Sequence, residues 1–267
     1  MKGVYMYRIS IIIFYITTSL FVSFDAFALD TVTLVCENDF APYGYESKNG
    51  EASGFSTDII IAAYKSVGVD VNFKVLPYAH GMHLVENNIE IGCYNTNNDE
   101  INLKKHHFPD EPLFTGEFVL WALSDYQGNM TLEKLIETGE TVGITHGYNY
   151  DGPGVNFDYN EKIKKDVART VTLTLKKLVG GRYKFAAAEK KVALLAISRN
   201  KSELEGKIKI VGRISNGGLF VSFSKKHPYG KKYCDLLNQG IVNIKNSGEY
   251  ETLEKKWDSL IQSGNLP

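Results

Sequence analysis

Twice along this chain a strand-like alternation is followed by a helical period and then by another strand, and that order restricts the fold to a few α/β architectures. In the first unit Thr31 to Cys36 reads as a strand. A helix from about Ser56 to Val67 follows, with Ile59, Ile60, Ala63, Tyr64 and Val67 at helical spacing, Ser56 as its candidate N-cap and Gly68 where the chain must leave it. Val69, Val71, Phe73 and Val75 then alternate with Asp70, Asn72 and Lys74, the period of a half-buried strand. This order implies a parallel βαβ unit. A short helix, Ala79 to Glu86, and a third strand, Ile89 to Tyr94, extend it.

The second unit begins near residue 117. Glu117 to Ala122 and Thr141 to Thr145 read as strands with a helix at Leu132 to Ile136 between them. After a polar stretch come a helix near Leu173 to Val179, a strand at Tyr183 to Ala187, a helix from about Glu189 to Ser198 and a strand at Lys207 to Val211. Asn216-Gly217-Gly218 reads as a break, Leu219 to Phe223 as a further strand, and helices near Tyr229 to Lys245 and Tyr250 to Ile261 complete the chain. Two such units without a linker predict two lobes facing each other across a cleft, where α/β proteins take their ligands.

The N-terminus carries a leader of another kind. Lys2 and Arg8 precede an apolar run from Ile9 to Phe24, and Ala26-Phe27-Ala28 supplies the small-x-small pattern of a signal-peptidase site. The run is about 16 residues, short of the ~20 that a spanning helix needs. The expected product is therefore exported to the periplasm and cut after Ala28, with residues 1–28 as signal peptide. The formal net charge of −1 shows no basic excess for nucleic acid, and the partner expected is a small molecule bound by a monomer. Three cysteines, Cys36, Cys93 and Cys234, are too few for a disulfide scaffold. Cys36 and Cys93 each end a predicted strand, so one bridge is open to them if those strands are neighbours; otherwise all three pack as small hydrophobes.

Several segments occur in an order that resembles the bacterial periplasmic solute-binding proteins of the polar amino-acid type, family 3. They are Phe40-Ala41-Pro42-Tyr43-Gly44-Tyr45, Gly54-Phe55-Ser56-Thr57-Asp58-Ile59, Phe108-Pro109-Asp110-Glu111-Pro112-Leu113-Phe114, Val142-Gly143-Ile144, Gly181-Arg182-Tyr183 and the closing run Ser247 to Trp257. The resemblance covers residues 30–262. It implies a two-lobed type II periplasmic-binding fold, each lobe a mainly parallel sheet flanked by helices. Lobe 1 would hold 29–116 and 217–267, lobe 2 would hold 117–216, and two strands crossing near Gly116 and Gly217 would form the hinge. It also implies a solute caught in the cleft for a membrane permease of the ABC type or for a sensor receptor, with no cofactor.

The same resemblance nominates a site. An aromatic of the first loop, Phe40, Tyr43 or Tyr45, would stack on the ligand, with Tyr78 beyond it; all four are equally readable as core. Tyr43 and Tyr78 are favoured because a buried hydroxyl needs a polar partner. The family's carboxylate-binding arginine counts to Asn102, and the serines or threonines before it to Asn95 and Asn97. An amide cannot replace a bidentate guanidinium, so only Lys104 or Lys105 is left to compensate. The Gly-Thr that caps the carboxylate aligns with Gly147-Tyr148. The ammonium-binding acid aligns with Glu189, for which a solvated helix-start carboxylate is the alternative. These departures imply a polar solute other than an ordinary L-amino acid.

Two other chemistries compete with that reading. His80, His83, His106 and His107 fall in the first unit but lack the spacing of a zinc site, and His80 reads instead as a hydrogen bonder on the cleft wall beside Tyr78. Cyclohexadienyl dehydratase-like proteins use the same scaffold as enzymes. They would need cationic clamps for two carboxylates, which Asn102 and Tyr148 do not provide.

Overall fold

The computed structural model of the protein describes residues 30–152, 154–263 and 266. The leader and its cleavage site lie outside the described residues. Strand Asp30–Glu37 pairs in parallel with Val69–Leu76 from Asp30↔Val69 to Glu37↔Leu76, and helix Phe55–Ser66 connects them. This is the βαβ unit that the alternation of Val69 to Val75 predicts. On the other edge of the first strand lies Gly92–Thr96, also parallel. It starts later than the sequence suggests because the preceding helix, Tyr78–Glu86, ends in a tight turn. Asn88 takes φ 61°, and the amides of Ile89 and Glu90 both return to the Leu84 carbonyl.

Among the described residues one nine-stranded sheet runs through the whole molecule. Its order is Lys164–Ala168, Thr141–Thr145, Phe185–Glu189, Phe114–Leu123, Ile208–Ser224, Gly92–Thr96, Asp30–Glu37 and Val69–Leu76, with His106–His107 paired to Ile208–Ser224 off this path. The break expected at Asn216-Gly217-Gly218 is absent: Ile208–Ser224 is a single 17-residue strand. Its pairing with Phe114–Leu123 continues through Gly217↔Gly116 and Gly218↔Thr115, and that long-range ladder outweighs local turn propensity. The polar stretch before residue 170 contains the strand Lys164–Ala168, which the sequence reading left out. Its lysines suit an exposed edge rather than a buried alternation. The aromatic first loop forms a small sheet of Asp39–Phe40, Gly44–Glu46 and Ala52–Ser53.

The expected N-cap at Ser56 is also corrected. The cap of helix Phe55–Ser66 is Gly54, at φ 134°, and a Cβ there would lie 2.1 Å from the Tyr43 carbonyl oxygen. Ser56 is buried inside the helix and its Oγ donates to Asn95 Oδ1 at 2.7 Å. Cys36 and Cys93 are free. Their strands are neighbours, but Cys93 stands in register with Val35, so Cys36 points to the opposite face.

Helix Gly230–Ser247 packs on Phe55–Ser66 so closely that a Cβ on Gly240 would sit 2.2 Å from the Ala63 carbonyl oxygen. We expect Gly240→Ala to force the helices apart and cost about 1–3 kcal/mol, read as a lower urea midpoint. An unchanged midpoint would show that this contact bears no strain. The closing run is anchored by Trp257, whose Nε1 donates to Asp58 Oδ2 at 2.8 Å. Among the described residues no helix is long and apolar enough to cross a membrane.

Candidate functional site

The carboxyl ends of strands from both halves of the sheet converge on one crevice, as expected for an α/β sheet. Asp30–Glu37 delivers Glu37, Gly92–Thr96 delivers Asn95, and Thr141–Thr145 runs into His146-Gly147-Tyr148. At Gly147, at φ 78°, the halves approach closely: a Cβ on it would lie 2.7 Å from that of Ala79. Tyr148 then crosses the crevice. Its hydroxyl donates to Glu37 Oε1, and its ring meets Phe40 and Tyr78 edge-on at centroid distances of 5.5 and 5.8 Å.

The ring nearly fills the space between the halves. The cavity left there is about 20 Å³, lined by Glu37, Phe40, Tyr78, Asn95, Asn97 and Tyr148 among others, which is room for about one water. Asn95 is 7% exposed and takes φ 63°; its Oδ1 accepts from Ser56, while its Nδ2 has no acceptor among the described residues. Asn97 spans the two halves, its Nδ2 donating to the Asp151 carbonyl at 2.9 Å. Tyr78 donates to Thr96 Oγ1 at 3.3 Å. Phe40, Tyr78, Asn95, Asn97 and Tyr148 are thus brought together around one cavity.

The other nominated residues lie elsewhere. Tyr43 stacks on Phe114 at 3.8 Å and donates to Glu189 Oε1 at 3.2 Å. Glu189 is the N-cap of helix Lys190–Arg199, its Oε2 accepting from the Val192 amide at 2.9 Å. It is a helix-start carboxylate but not a solvated one, being only 2% exposed. Tyr45 packs edge-on against Trp257 and accepts from Ser53 Oγ. Asn102 lies in the short helix Glu100–Lys105 and turns back on the chain before it, donating from Nδ2 to the Asn97 carbonyl at 3.0 Å. His80 is exposed and lines neither the central cavity nor the two spaces beside it, and Lys104 and Lys105 are exposed, Lys105 being paired with Glu86. His106 is a buried ring whose proton affinity burial lowers, and the described residues hold no group of three or more side chains suited to a metal ion.

The sequence reading passed over Glu37. The signal was present: an acid ending an apolar strand, at the sheet end where ligands bind. Burial drives its carboxyl up to about 8, against the opposing pull of the Tyr148 hydroxyl, and Asp39 adds to the rise. Burial likewise lifts Glu189 to about 7, against the Val192 and Glu117 amides and the Tyr43 hydroxyl. Two larger spaces flank the filled centre. One of about 510 Å³ opens beside Glu37, Asp39, Tyr78, His146, Tyr148 and Arg169. The other, about 640 Å³, lies towards Gly217 and Gly218 and is lined by Asn97, Asp99, Asp151 and Tyr159.

Residues 32–259 match the family described as bacterial extracellular solute-binding proteins, family 3. The chain belongs to that family. Comparison with curated protein sequences gives no significant match. Among solved structures it is similar to an ancestral arginine-binding protein bound to arginine, at 22% identity and a TM-score of 0.71 over 85% of this chain and 97% of that one. A histidine kinase sensor domain with similarity to periplasmic binding proteins aligns with TM-score 0.71 and 17% identity, covering 85% and 95% of the two chains. An ancestral amino-acid-binding protein described as a precursor of cyclohexadienyl dehydratase aligns with TM-score 0.67 and 19% identity, covering 85% and 95%. At these identities the likenesses establish the two-lobed type II periplasmic-binding fold.

Proposed function

We propose that this family 3 protein is exported, loses residues 1–28, and captures a small polar solute in the cleft between two lobes, 29–116 with 217–267 and 117–216. Gly116 and Gly217 would mark the hinge. The observation that carries the reading is the meeting of Tyr148 and Glu37, each at a strand end and one from each half, with Phe40, Tyr78, Asn95 and Asn97 around them. A solute that competes for those groups is sensed by both halves at once, so it biases closure. The bound protein would then serve a permease for uptake or a receptor for sensing.

An ordinary L-amino acid fits poorly. Asn102 stands where an arginine is expected and its amide is engaged by the Asn97 carbonyl just before its helix. The lining of the central cavity carries no cationic side chain, so a buried carboxylate there would lack a charged partner. Among the described residues Arg169 is the one cationic side chain lining the adjoining cavities, so a dicarboxylic acid would lack a second clamp, and we read the protein as a binder without catalysis.

The test is a thermal-shift library followed by small-angle scattering on each hit. A solute at about 100 times its dissociation constant should add about 2.7 kcal/mol of stability and reduce the radius of gyration. A broad library without one hit, or a hit that leaves the radius unchanged at saturation, would count against the reading.

A further inference from the structure

The polarity of the solute can be read from the outer cavity, on the premise that the protein binds solutes in its cleft. Tyr148 leaves the centre too small for an organic group, whereas the mouth beside it offers about 510 Å³, within the range that small molecules occupy. The walls of that mouth come from different halves. Glu37, Asn38, Asp39 and Tyr78 belong to the first, and His146, Tyr148, Arg169 and Thr170 to the second.

The two walls carry groups of opposite character that form no ion pair with each other, acids on the first and a guanidinium on the second. Glu37 is 4% exposed; Tyr148 occupies Oε1, and among the described residues nothing donates to Oε2. Asp39 adds a second carboxylate at the same rim and forms no ion pair among the described residues. Across the cavity Arg169 has no carboxylate within ion-pair distance and donates no hydrogen bond among the described residues. It lies between the end of strand Lys164–Ala168 and Thr170, the N-cap of helix Val171–Val179. There Thr170 Oγ1 accepts from the Leu173 amide at 3.1 Å, leaving Val171 and Thr172 with amides that the helix itself does not engage. The end of the helix and the guanidinium thus favour negative charge on the same wall.

We propose that this mouth takes a dipolar solute whose cationic and anionic groups are separated by a short apolar spacer. The cation rests on Glu37 and Asp39 of the first half, and the anion on Arg169 and the first amides of Val171–Val179. The spacer runs along the Tyr78 ring. This is the reverse of the polarity that the positions of Asn102 and Glu189 imply. The separation of the two walls sets the length of the spacer, and an α-amino acid, whose two charges share one carbon, is the shortest case. A solute bridging both walls makes its second ionic contact only when the halves are together, which is the differential contact that closure needs.

Straight-chain ω-amino acids of three to eight carbons are the probe, with the matching alkylamines, alkanoates and α-amino acids as controls, each measured by calorimetry at pH 8.5, where the Glu37 carboxyl is ionised. One chain length should bind best. Its matching amine, acid and α-isomer should each be at least tenfold weaker, and Arg169→Gln, a change at an exposed position, should weaken it at least tenfold. Glu37→Gln should weaken it by a similar factor. The proposal falls if no chain length binds, if an alkylamine binds as tightly as the best ω-amino acid, or if Arg169→Gln leaves the affinity unchanged. A different solute that closes the protein with no dependence on Arg169 would overturn this polarity alone, and the solute-binding reading would stand.

Discussion

Replacing Tyr148 with alanine should widen the protein in solution with no solute added, and it should carry the largest stability loss of any single substitution around the crevice. The ring is the main filling between the halves, in edge contact with Phe40 and Tyr78, and its hydroxyl is the donor to a carboxylate buried from water. Removing a large aromatic from a packed site costs about 3–5 kcal/mol. An opening of the proposed cleft would offset part of that cost by hydrating Glu37, at the expense of wetting Phe40 and Tyr78. Tyr148→Phe isolates the hydroxyl. It keeps the ring and leaves Glu37 without a donor, at about 1–3 kcal/mol. Scattering should give radii in the order wild type, Phe, Ala, and urea midpoints in the opposite order. An alanine variant with the wild-type radius and midpoint would mean that the ring is a passenger in the crevice.

How far the sequence disclosed this arrangement depended on the range of the interaction that decided each feature. The strand Val69–Leu76 and the helix before it were legible because alternation and helical spacing are local, and Gly68 marks the turn between them at φ 73°. Ser56 was misassigned as a cap because its hydroxyl answers to Asn95, which is 39 residues away. Gly217 and Gly218 read as a break because the ladder that keeps them extended belongs to Phe114–Leu123. In the crevice, residue types were informative and partners were not. Tyr148 was noticed only as a departure from threonine, and its hydroxyl reaches Glu37 across 111 positions. Asn102 was weighed as a clamp, yet its amide closes a turn five residues long. Glu37 was overlooked because an acid at a strand end ordinarily reads as solvated, and only the packing of Phe40, Tyr78 and Tyr148 reveals its burial.

That burial makes Glu37 the group through which pH should act. Its carboxyl is raised to about 8 in the folded protein, from an ordinary value near 4.5. Over the interval between those values the folded chain holds a proton that the unfolded chain has released. Stability from this group is therefore complete below about pH 4.5 and is lost as pH rises through 8. Glu189, raised to about 7, and Asp158, raised to about 7 by burial, slope in the same direction, so the wild type should be weaker at pH 8.5 than at pH 5, with His106 and His107, held below their ordinary value by burial, opposing the slope at its acid end. Glu37→Gln removes one share of that slope while keeping an acceptor for the Tyr148 hydroxyl. At pH 5 the variant should match the wild type to within about 1 kcal/mol, since both side chains are then neutral. At pH 8.5 it should be the more stable of the two by on the order of 4 kcal/mol, which a shift of this size is worth at 1.36 kcal/mol per unit. Urea titrations of both proteins at the two pH values decide the matter. Parallel curves, with the variant no better at pH 8.5 than at pH 5, would show that Glu37 ionises in the folded protein at no cost, and that its second oxygen is already hydrated through the 510 Å³ mouth.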